Sequence, residues 1–304
     1  MSVELLHYRP WRGEFRAPAA SVWPIARVCL AIMFRRKLFW GLYALGLSIF
    51  LLYFFGQFLL AWAADQMGES NVPVMGLRVT PTQLIDIFRK SLRLDGSGET
   101  YANYFWFQGY MVMILLALAG SILMGNDIHY GTMPFYLSKP LSRWHYLLGK
   151  CLAVGVFVNL MTTLPALVLF AQWGFLDSWN FELLPGILIY GLVLTVLLSL
   201  MLTATAAWLR RTVPMLMAWA TVFLFFRLLA VAMVEQLKFH RNWRLIDLWN
   251  DAYLVGYYCL GNDLGRLYSS AQPEIYLAVA VLCGISLFCL LYLIQRIRGV
   301  EIVK

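Results

Sequence analysis

Residues 125–150 read GNDIHYGTMPFYLSKPLSRWHYLLGK, with Asp127, two histidines, two prolines and the cations Lys139, Arg143 and Lys150. The flanks are different in kind: FWFQGYMVMILLALAGSILM (105–124) before it and CLAVGVFVNLMTTLPALVLF (151–170) after it. A helix needs roughly 20 apolar residues to cross the hydrocarbon of a bilayer. The quoted stretch is therefore a polar link between two membrane-crossing segments. It is either a plain connector in water or a surface that another protein grips.

The rest of the chain has the same character. Of 304 residues 61% are hydrophobic and 13% charged, with a mean hydropathy of +0.69. A soluble domain carries about 25% charged residues. Six apolar blocks reach spanning length, at about 38–64, 104–125, 150–173, 183–208, 213–234 and 275–295. Continuous runs of this kind argue against a β-barrel, whose strands alternate over short segments. The expected fold is an all-α polytopic membrane protein, one transmembrane domain over 1–304. Residues 1–37 are Arg-rich and hold no apolar core of a cleavable leader, so the first span is expected to act as an uncleaved anchor.

Charge orients it. With six spans both termini share a side, and the segments on that side carry 15 basic residues against Glu4, Glu14, Asp127 and Glu301. The outer segments 65–103 and 236–273 carry 8. The positive-inside rule puts both termini and the quoted stretch in the cytoplasm. The net charge of +8 follows from this topology and from attraction to anionic lipid, with no nucleic-acid partner implied.

Ahead of span one, SVWPIARVCLAIMFRRKLFW (21–40) places Ile25, Val28, Cys29, Ile32 and Met33 at helical spacing beside Arg27 and Arg35 to Lys37. This fits an amphipathic helix on the inner leaflet, or equally an extension of span one. In the first outer segment Thr80 and Pro81 suit a helix start, followed by a Leu84, Ile85, Phe88 and Leu92 stripe. The second outer segment mixes charges with Trp243, Trp249, Tyr253, Tyr257 and Tyr258, which suit the headgroup zone. It reads as an interfacial helix or, alternatively, as an element that dips into the membrane.

The chemistry is sparse. No GxxxxGK[ST] occurs, because Gly149 and Lys150 are followed by Cys151, so this chain does not cradle ATP phosphates. His7, His129, His145 and His240 are scattered, and no CxxC pair exists among five cysteines. No catalytic residue, metal site or cofactor of its own is expected. Inside the spans the notable ionisable pair is Arg227 and Glu235, a candidate substrate path; the plainer reading is an Arg that snorkels or pairs with an acid on a neighbouring helix. Pro165 in span three is expected to bend it.

Within the quoted stretch Gly131 and Thr132 break the run, Lys139 and Pro140 turn the chain, and Ser142 caps a new helix whose first turn holds Arg143. Asp127, Gly131, Thr132, Leu137, Ser138, Pro140, Ser142, Arg143, Tyr146, Gly149 and Lys150 together resemble the signature of permease subunits of ABC-2 type transporters. Six spans and a helix ahead of the first match that family as well. Two features depart from it: Asp127 stands where Glu is common, and the outer segments are long.

The resemblance implies a membrane subunit of an ATP-driven exporter in a prokaryotic plasma membrane. A separate cytoplasmic ATPase would bind ATP and Mg²⁺, and its groove would receive the bracket of residues 127–150. Asp127, Gly131, Thr132, Pro140, Arg143 and Lys150 become the candidate coupling residues, and a second permease chain, identical or related, would complete the path. A secondary carrier and a non-transporting membrane scaffold are the rival readings.

Overall fold

The computed structural model describes residues 22–66, 72–74, 77–79, 87, 89, 91–120, 143–209, 211–263, 265 and 271–296. Helix α1 (Val22–Phe34) is separate from α2 (Lys37–Gln66), with a turn at Arg35 and Arg36 between them. Ala26, Cys29, Leu30 and Met33 form its buried stripe, at the i, i+3, i+4, i+7 spacing of one helical face. The Trp40 indole N–H donates to the Phe34 carbonyl at 2.8 Å and caps the end of α1. Of the two readings of this region, the separate helix holds; Trp23, Arg27, Val28 and Ile32 lie on its exposed side.

Spans one, four, five and six appear as α2, α6 (Leu183–Leu209), α7 (Thr212–Gln236) and α9 (Ile275–Arg296). Span three is longer than expected and broken, as α4 (Arg143–Met161) and α5 (Thr163–Leu176). With α4 and α5 taken together, five helical segments are apolar and long enough to cross a membrane. Span two is α3 (Gly98–Gly120), of similar length but richer in polar groups, including Asn103 and Gln108. Its position explains its composition. It packs against α2, α4, α5, α6 and α7 and buries Tyr101, Tyr104, Phe105 and Leu116 completely, so protein covers most of its surface. By contrast α2, α7 and α9 expose Leu52, Trp62, Leu224, Leu228 and Phe288, the apolar surface that lipid requires.

Outside the spans, Val72–Val74 and Leu77–Val79 form an antiparallel two-stranded ladder, the one departure from all-α character among the described residues. Of the helix expected from Thr80 to Leu92, residues Ile87, Arg89, Ser91 and Leu92 are described and helical. The second outer segment holds a 3₁₀ turn (Arg241–Ile246) and α8 (Leu248–Cys259). Helix α8 does not lie on the surface. It packs among α3, α6 and α9, and nine of its twelve residues are buried.

Its depth follows from two glycines of α3. A Cβ at Gly98 would meet the Leu260 carbonyl, and one at Gly109 would overlap the Trp249 indole. The start of α8 is therefore about 16 Å further along α3 than its end, at 1.5 Å per residue. The dipping element is the observed form and the interfacial helix is not. Trp249 and Tyr257 are core residues, whereas Trp243 and Tyr258 are exposed as headgroup anchors would be.

Candidate functional site

The described polar groups concentrate where α8 meets α3 and α7. Arg227 lies in α7 between two π turns, Thr221–Phe225 and Ala232–Gln236, closed by N–H donation from Phe226 to Thr221 and from Leu237 to Ala232. Each π turn adds one residue to a turn and re-aims the side chains beyond it. The Arg227 guanidinium lies 4.6 Å from the Trp106 ring centroid and 5.3 Å from that of Tyr110. Trp106 also meets Tyr253 at 4.9 Å and Trp249 at 6.1 Å, so an aromatic wall from α3 and α8 backs the cation. Cation–π contacts of this kind contribute about 0.5–2 kcal/mol, more where water is excluded.

Asp247 lies within electrostatic reach of Arg227. Its carboxylate accepts from the backbone N–H groups of Trp249 (3.2 Å) and Asn250 (3.1 Å) and so caps α8. Burial raises the Asp247 carboxyl above the ordinary range; the Asn250 N–H and the Arg227 charge oppose this. One turn on, Asp251 is fully buried and neither of its oxygens has a hydrogen-bond partner among the described residues. Burial, reinforced by Asp247, pushes its carboxyl up to about 8, so near neutral pH it is held largely protonated. Beside it the Asn250 amide donates to Gln272 at 2.9 Å, which ties α8 to the segment leading into α9.

Glu235 does not join this group. It is exposed and pairs with Arg244 at 3.1 Å, while Arg241 pairs with Glu274. Arg227 and Glu235 therefore do not pair: Glu235 goes to Arg244, and Arg227 lies against the Trp106 and Tyr110 rings. Asp247 and Asp251 were not among the expected site residues. The available signal was Asp-x3-Asp beside two tryptophans, but it sits in a segment whose composition suits the headgroup zone equally well. Among the described residues no group of three or more metal-ligating side chains assembles.

At the other end, Asp127, Gly131, Thr132 and Pro140 lie outside the described residues, as does the Arg143 side chain. Arg143 opens α4. Gly149 is where α4 meets α1, since a Cβ there would sit 2.8 Å from Ile25 and 3.1 Å from the Val22 carbonyl oxygen. Lys150 is 5% exposed, its Nζ 5.4 Å from the centre of the buried Tyr146 ring. The Tyr-x-x-Gly-Lys corner thus locks α1 to the start of span three.

A search of curated proteins finds no match. Residues 110–242 match the family model described as ABC-2 family transporter protein, a stretch from α3 to the 3₁₀ turn that includes the quoted loop, broken span three and Arg227. That match, on a helical bundle of membrane-spanning character, makes residues 110–242 similar to the ABC-2 family of transporter proteins and supports a membrane permease.

Proposed function

We propose that this permease converts ATP hydrolysis on a separate cytoplasmic ATPase into outward movement of a substrate across a prokaryotic plasma membrane, with a second permease chain enclosing the path. The observation that carries the reading is the extent of the family match, which takes in the loop of residues 125–150 together with the second half of α3 and all of α4. The junction at Gly149 supports it, because a push on the bracket would reach α1 and α4 together. ATP and Mg²⁺ belong to the partner, since this sequence has no phosphate-cradling loop. The candidate coupling residues remain Asp127, Gly131, Thr132, Pro140, Arg143 and Lys150.

The test is purification in mild detergent of the tagged chain with the proteins bound to it. A stoichiometric ATPase, retained by the wild type and lost in Asp127→Ala or Arg143→Ala with normal membrane insertion, is the expected result. An intact complex with unchanged hydrolysis in both variants would refute the coupling role.

One observation favours the secondary-carrier reading: Asp251 brings a protonatable group into the bundle that the spans themselves do not supply. Transport that persists without ATP and collapses when the proton gradient is removed would select it.

A further inference from the structure

Span three breaks at Thr162, whose backbone (φ −115°, ψ −67°) departs from helical values, three residues before Pro165. Proline has no N–H, so the carbonyl four residues earlier, that of Met161, loses its partner within the helix. A buried carbonyl left open costs the full desolvation of that group. Here span two supplies two donors: Gln108 Nε2 at 2.9 Å and the Tyr104 hydroxyl at 3.3 Å. Gln108 and Tyr104 are almost fully buried, and among the described residues neither makes another side-chain hydrogen bond to span three.

The two halves of span three have different attachments. Helix α4 packs on α1 and ends at the quoted loop. Helix α5 packs on the outer half of α2, where Gln172 Nε2 donates to the Phe54 carbonyl at 2.8 Å. On the α4 side of the joint, the Asn159 amide donates to the Thr195 hydroxyl of α6 at 2.6 Å and to the Gly155 carbonyl of its own helix.

We infer that the Met161 carbonyl, gripped by Gln108 and Tyr104, is the joint at which displacement of the cytoplasmic half of span three is passed to span two. Gln108 and Tyr104 are positioning residues for transport. The transmission rests on the coupling proposed above; the joint itself does not.

The experiment separates the two. Nitroxide labels carried on non-natural amino acids at Leu148 (55% exposed) and Phe175 (82% exposed) leave the five cysteines in place. They lie roughly 40 Å apart along the helix axes at 1.5 Å per residue, a measurable separation. In the purified protein in lipid vesicles, the wild type is expected to give one narrow distance distribution. Gln108→Leu should shift the ratio of bent states about tenfold and broaden it, as losing one buried hydrogen bond does. Adding Pro165→Ala restores an N–H for the Met161 carbonyl and should narrow the distribution again.

If Gln108→Leu leaves the distribution unchanged, or the double variant stays as broad as the single one, the joint is refuted. Should Gln108→Leu fail to fold, Tyr104→Phe with and without Pro165→Ala decides the same point. With the ATPase present, nucleotide should move the distance in the wild type, and Gln108→Leu should lower substrate moved per ATP hydrolysed. Unchanged yield there overturns transmission; absence of any ATPase overturns the proposed function and leaves the joint to the distance measurement.

Discussion

Spans three and five are both irregular helices, for opposite reasons. In span three the irregularity begins in the backbone: Pro165 removes a donor, the helix breaks at Thr162, and span two answers with Gln108 and Tyr104. In span five no proline lies near Arg227, since Pro214 sits in the first turn, where proline costs little. There the helix winds into π turns on both sides of Arg227, with the guanidinium against the wall of Trp106 and Tyr110. One break is written into the chain and the neighbours adapt to it. The other is imposed by what the neighbours hold. The first should survive changes in its surroundings, and the second should not.

The most damaging test of this contrast is Gly109→Val. Its side chain would occupy the space of the Trp249 indole, which is fully buried and part of the wall behind Arg227. Overfilling so tight a contact is expected to prevent recovery of a monodisperse protein by gel filtration, where the isosteric control Leu92→Ile at an exposed position has no effect. A well-behaved Gly109→Val protein would mean that α8 can withdraw from α3 at little cost.

Asp251→Asn comes next. The folded Asp251 carboxyl titrates at about 8, against an unfolded value near 3.9. Between those values the folded state binds the extra proton, so stability falls as pH rises, by up to about 1.4 kcal/mol per pH unit. Thermal melts of the wild type should decline from pH 5 to pH 8, and the Asn variant should lose most of that slope. Equal slopes would show that α8 opens to water around Asp251.

Arg227→Leu removes the cation–π contacts and the nearby positive charge that Asp247 feels, at an expected cost of about 2 kcal/mol. It should also return residues 221–236 to regular α-helix, seen as a rotation of labels placed beyond Val231. Persistence of both π turns in that variant would break the contrast between the two spans. Glu235→Ala is the small-effect control. Its pair with Arg244 is exposed on the Glu side, and such pairs contribute under about 1 kcal/mol.

The contrast also shows what could be read in advance. Spans one, four, five and six lie within a few residues of their expected limits because lipid selects one property, a long apolar run, that is visible residue by residue. The bend at Pro165 was legible because proline acts through its own covalent structure. The π turns were not, because TVFLFFRLLAVAMVEQ is as good an α-helix former as its neighbours and only the position of Trp106 and Tyr110 distinguishes it. Helix α8 was half legible. Its aromatics and acids suit an interface and an interior equally, until Gly109 shows where Trp249 goes.

By itself, then, the sequence determined a polytopic helical membrane protein and a loop that resembles the signature of ABC-2 permeases. Each of these depends on composition, on charge count or on residues adjacent in the chain. Only the tertiary structure decided that Arg227 lies against Trp106 and Tyr110 rather than with Glu235, that Asp251 is buried, and that Gln108 satisfies Met161. Those depend on which groups meet from distant parts of the chain, where the cost of an unpaired buried polar group selects the partner.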